Sequence, residues 1–215
     1  MASTRVYAAR PGGAARSNPE GNERLTSTNG MLLLILLAAE GVTILSVRQL
    51  ITWHVVIGLI LVGPVLLKAA STMYRFGRYY TGKPAYIEKG PPHPILRVLG
   101  PVVLLTSLAV LGTGVALVFT KPGQEGPWLF LHKASFIIWF AAMAVHVLGH
   151  IVQAARSTAV EYRRQPAGPA RRGRVVRTGL IVLSLTAGVG LAAALVPHAS
   201  AWTHRAAEVE HSRDH

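Results

Sequence analysis

Five stretches of the chain, about residues 31–50, 52–72, 97–120, 128–152 and 178–198, are apolar for long enough to cross a lipid bilayer, and polar or Gly/Pro-rich sequence bounds each of them. A spanning helix needs roughly 20 mostly apolar residues for a hydrocarbon core of about 30 Å. With 14% charged residues in 215 and a mean hydropathy of +0.38, the chain departs from a soluble domain. The predicted fold class is all-α: a polytopic membrane protein with a four-helix bundle over 31–152 and a fifth transmembrane helix over 178–198. The first apolar stretch follows some thirty polar residues without a small-residue cleavage site, so it reads as a retained helix.

A net charge of +13 raises nucleic acid as a partner, but the placement of the charges argues for topology instead. Arg5, Arg10, Arg16 and Arg24 precede the first span; Lys68, Arg75, Arg78, Lys83, Lys89 and Arg97 surround the second connection; seven arginines from Arg156 to Arg177 fill the fourth. The other side holds Arg48, Lys121, Lys133, Arg205 and Arg213. Such asymmetry puts the N-terminus in the cytoplasm and the C-terminal tail outside. Anionic lipid is the partner it implies, and no nucleic acid.

The segments between spans have their own character. Residues 1–30 lack periodicity and are expected to be disordered up to about Arg24. From Met73 to Leu96 runs a long connection whose Tyr74–Tyr80 stretch mixes aromatics and arginines as an interfacial segment does. Residues 153–177, with Pro166, Gly168 and Pro169, read as a basic flexible linker, and 199–215 as a solvated tail carrying His204, His211 and His215 beyond His198.

Cysteine is absent, which excludes disulfides, thiolate metal sites, iron–sulfur clusters and covalent c-type haem, and leaves histidine as the strong haem ligand. Ionisable residues inside spans are costly, so each is a functional candidate: Glu40, His54, Lys68, His132, His146 and His150. His54 follows Arg48 by six residues and His132 follows Pro127 by five, so both lie one to two turns inside the same membrane face. A porphyrin held edge-on between helices needs one imidazole from each side at one depth, and this pair supplies it. Gly58, one turn below His54, and Gly112 and Gly114 on the third span offer room for a macrocycle.

His146 and His150 follow His132 by fourteen and eighteen residues, which at about 100° per residue returns to nearly the same face. Ser135, Trp139 and Met143 share that stripe. The step from His132 to His146 is about 21 Å along the helix, so the metal-ligand candidates are His54, His132, His146 and His150, for one haem b or two. The residue opposite the inner pair is Lys68. It can meet a haem propionate or a quinone oxygen, or snorkel to the interface; His93 is an alternative ligand for an inner haem. Glu40 can carry protons or bond a neighbouring helix, the latter being the favoured reading.

The strings His54–Gly58, Tyr79–Gly82, Gly90–Pro92, Leu131–Ser135 and His146–His150 together resemble the small cytochrome b561/b6-like membrane proteins of actinobacteria, over about half of the chain. The resemblance implies a four-helix haem-b electron carrier that exchanges electrons with quinone or a partner oxidoreductase, with His54 and His132 as ligands and His146 or His150 as inner candidates. A fourth histidine expected on the second span is Lys68 here. As no nucleophile–base set is visible, the chain reads as an electron-transfer subunit and not an independent enzyme. The competing expectation is a haem-free proton or ion transporter, or a membrane anchor, in which Glu40, Lys68, His146 and His150 line a route.

Overall fold

The computed structural model describes residues 19–87, 94–163 and 169–203. They form α1 (Pro19–Leu45), α2 (Ile51–Tyr80), a single turn α3 (Pro84–Ile87), α4 (Pro94–Val118), α5 (Trp128–Arg163) and α6 (Pro169–Leu195), with a 3₁₀ turn over Val196–Ala199. Five of these helices are long and apolar enough to cross a membrane, and no strand occurs among the described residues. The fold is an all-α polytopic membrane bundle.

Tight turns set the order of packing. Gln49 and Leu50 both donate amide hydrogen bonds to the Ser46 carbonyl, so α2 folds straight back on α1. Between α4 and α5, Gly123 at φ +89° and Gly126 at φ +50° take left-handed positions that glycine adopts without a Cβ penalty. The two hairpins stand side by side, α1 against α5 and α2 against α4, closing a four-helix ring. Helices α2 and α5 are its diagonal. Outside the ring, α6 lies along α2. Outward side chains such as Ile35, Phe130 and Leu148 are exposed and apolar, as a lipid-facing surface requires.

The junction of α2 and α6 is a backbone-to-backbone crossing. A Cβ on Gly63 would fall on the Ser184 carbonyl oxygen, and one on Gly188 on the carbonyl oxygen of Ile60. Pro64 lies within α2 and brings no amide hydrogen of its own, so the Ile60 carbonyl lacks its helical donor; Gly188 packs where that carbonyl emerges. Ser184, Gly188 and Ala192 recur at four-residue intervals, the small-residue spacing that lets membrane helices approach closely. Beyond α6, the Trp202 indole donates to the Leu117 and Thr120 carbonyls at 3.0 and 2.9 Å, tying the C-terminal segment to the end of α4.

Three expected boundaries shift. Within the predicted disordered N-terminus, residues 19–30 are the first turns of α1; residues 1–18 lie outside the described residues. The polar side chains responsible for that expectation are bonded to α2. Asn22 donates to the Ser71 carbonyl at 3.0 Å, Thr26 to the Ser71 hydroxyl at 3.1 Å, and the fully buried Asn29 to the Pro64 carbonyl at 2.8 Å. The connection expected from Met73 is helical to Tyr80, where Arg78 sits 5.8 Å from the ring centres of both Tyr74 and Tyr86.

The third shift concerns the predicted linker 153–177, most of which is helix: α5 continues to Arg163 and α6 starts at Pro169. A charge clasp holds these extensions. The buried Glu161 of α5 accepts from Arg177 of α6 through Nε at 2.9 Å and through Nη2, and from Arg24 of α1 at 3.4 Å. Glu161→Gln leaves two guanidinium groups facing each other. We expect it to cost about 3 kcal/mol, read as a lower melting temperature of the detergent-solubilised protein. Arg24→Ala, which removes the more exposed partner, is expected to cost about 1 kcal/mol or less.

Candidate functional site

His54 on α2 and His132 on α5 meet across the diagonal of the ring, near the end where the α1–α2 and α4–α5 turns lie. Their ring centres are 6.2 Å apart and their planes cross at 77°. The depth match read from the sequence therefore brings these two residues together.

Each ring is held through Nδ1. His54 Nδ1 is 2.8 Å from Glu40 Oε1 and 3.2 Å from the Thr43 hydroxyl. That hydroxyl donates to the Glu40 carbonyl at 2.6 Å and lies 3.4 Å from Oε2. On the other side, His132 Nδ1 is 3.0 Å from the Val110 carbonyl and 3.2 Å from the Thr113 hydroxyl of α4. Nε2 of either ring has no hydrogen-bond partner among the described residues. Bound imidazoles have this arrangement, in which the nitrogen remote from the metal bonds a carboxylate or carbonyl and fixes the tautomer.

The glycines divide by position. Gly114 lets the His132 ring lie against α4, since a Cβ there would be 3.2 Å from Cε1. Gly58 faces the Glu40 carboxylate, which a Cβ there would meet at 3.5 Å, an ordinary contact distance. Gly112 has no neighbour within 4 Å of a Cβ position and touches neither histidine.

Along α5, His132, Ser135, Trp139, Met143, His146 and His150 are all half-buried while the residues between them are largely exposed. This supports the inward stripe. Trp139 ties it to α4 by donating to the Ser107 hydroxyl at 2.9 Å. Although α5 closes the ring, no residue of Trp128–Val152 is fully buried, so the stripe is only partly covered by the other helices.

The far end is arranged differently. His146 and His150 have ring centres 4.7 Å apart on α5 itself, and Nδ1 of His146 is buried without a hydrogen-bond partner among the described residues. Lys68, expected to reach a cofactor or the interface, instead donates to the Thr26 carbonyl of α1 at 2.7 Å and packs on Gly30. Fourteen residues from His54, it is about 21 Å down the helix, away from the His54–His132 pair. No imidazole faces His146 or His150 from another helix among the described residues. His93, His204, His211 and His215 lie outside the described residues, and His198 stacks near Phe119 at 5.7 Å.

Thr43, Thr113 and the Val110 carbonyl are the parts of the site that sequence reasoning missed, whereas Glu40 bonds a neighbouring helix as favoured, its partner there being His54. Glu40 was legible in principle: it precedes the α1–α2 turn by about as many residues as His54 follows it, so the hairpin sets them level. Among the described residues no group of three or more His, Asp or Glu is placed to hold a metal ion; a haem needs only two protein ligands.

The chain matches no protein-family model, no curated protein and no solved structure.

Proposed function

We propose that this chain is a bacterial cell-membrane cytochrome, in which His54 and His132 hold one haem b and electrons pass between quinone or a partner oxidoreductase and another redox centre. The observation that carries this reading is the 6.2 Å separation of the two rings. An imidazole nitrogen sits about 2 Å from a bound metal, and adding the ring radii puts two imidazoles on one metal about 6 Å apart. Their Nδ1 atoms are already engaged, Gly114 clears the flank of His132, and the stripe of α5 is only partly covered. When bound, the haem supplies one-electron chemistry; the chain orients both imidazoles, excludes water and sets the local field.

A second reading rests on the Glu40–His54 contact, a carboxylate and an imidazole paired inside apolar helices. It makes the chain a haem-free proton or ion transporter, or the anchor subunit of a complex. The absorption spectrum of purified protein separates the two. A Soret band with a sharp α band after dithionite supports the cytochrome. A colourless protein, after expression with added haem, supports the alternative.

The charge asymmetry adds an orientation, with the N-terminus cytoplasmic. Because the chain lacks cysteine, single-cysteine variants report it cleanly. Gln124→Cys, in the α4–α5 turn, is expected to react with an impermeant maleimide in intact cells, and Thr81→Cys, at the end of α2, only after lysis. The opposite pattern inverts the topology.

A further inference from the structure

We infer that Glu40 is a positioning residue that makes the two histidines electronically unequal, holding the redox potential of the site down from the His54 side. The inference rests on the cytochrome reading and adds to it a residue of α1, a helix that supplies no ligand.

The two imidazoles differ in their partners. His54 Nδ1 lies 2.8 Å from a carboxylate oxygen, whereas His132 Nδ1 meets a neutral carbonyl at 3.0 Å and a hydroxyl at 3.2 Å. The Glu40 side chain is 12% exposed, so little water screens it, and a charge-assisted hydrogen bond there is stronger than a neutral one. Thr43 lies against its second oxygen, and Gly58 is beside the first. A carboxylate accepting the Nδ1 proton fixes the tautomer that leaves the Nε2 lone pair free, and it raises the basicity of the ring. A more basic ligand favours the more highly charged, oxidised metal. His132, with uncharged partners, lacks that push.

The test uses the full-length purified protein and Glu40→Gln, which keeps the side-chain shape and an acceptor oxygen but removes the charge. Expected is a protein that retains haem and its low-spin signal, with the midpoint potential shifted upward and the paramagnetic resonance g-values displaced. Glu40→Asp, keeping the charge at a shorter reach, is expected to shift less. A haem-loaded Glu40→Gln protein with unchanged potential and g-values would overturn the inference while leaving the cytochrome intact. Wild-type protein without haem would overturn both. Should Glu40→Gln fail to accumulate, the redox-induced infrared difference spectrum of the wild type decides. With the glutamate carboxyl groups isotope-labelled to separate them from the haem propionates, a glutamate carboxylate stretch that moves on reduction is expected, and none moving contradicts a carboxylate at the ligand.

Discussion

Alanine at either His54 or His132 is expected to empty the protein of haem and abolish the Soret band of the purified material. Each ring comes from a different helix, and their centres are 6.2 Å apart, so on the proposed reading removal of one would leave a haem with one protein ligand. Changes to a ligand's hydrogen-bond partners weaken metal affinity by roughly 10–100-fold; loss of the ligand itself is expected to exceed that. Each single variant should lose low-spin character, and His132→Gly with added free imidazole should regain it, since Gly114 borders the space the ring vacates. His146→Ala and His150→Ala, on the far turns of α5, are expected to leave the spectrum unchanged. Retention of the wild-type spectrum in both His54→Ala and His132→Ala would remove the ligand assignment.

Gly188→Val is expected to be strongly disruptive although it touches no candidate ligand. Its Cβ would fall on the Ile60 carbonyl oxygen and stand 3.1 Å from Ile60 Cα, so α2 and α6 must move apart along their whole crossing. Overpacking a well-packed position costs about 1–3 kcal/mol, and a collision with backbone, which has no rotamer to yield, belongs above that range. Even Gly188→Ala should lower the melting temperature in detergent. Gly190, two residues on, has nothing within 4 Å of its Cβ position, and Gly190→Ala should be neutral or gain up to about 1 kcal/mol of helix propensity. Equal effects at 188 and 190 would contradict the close crossing.

These two sites show which features were legible in the sequence. The five spans and the facing of His54 and His132 followed from hydropathy and from counting residues inward from the turns, because helix rise converts sequence position directly into depth. Helix ends were not legible in that way. Hydropathy stops at the edge of the hydrocarbon, whereas α5 and α6 run on to the Glu161 clasp and α1 starts at Pro19. The polar residues of α1 suggested disorder because their partners, Ser71 and the Pro64 carbonyl, lie 35 to 49 positions away. Counting along α2 gives the depth of Lys68, but its bond to Thr26 depends on which helix neighbours α2. The Ser184–Gly188–Ala192 spacing was visible throughout, but the helix it seats on is set by packing. Glu40 needed the hairpin register, which the short α1–α2 turn already contained.

The most direct measurement is the haem content of the purified wild-type chain by pyridine haemochrome, set against its protein concentration. One protohaem per chain is expected, because one pair of imidazoles faces across the bundle among the described residues. A value of zero after expression with ample haem would contradict the His54–His132 site.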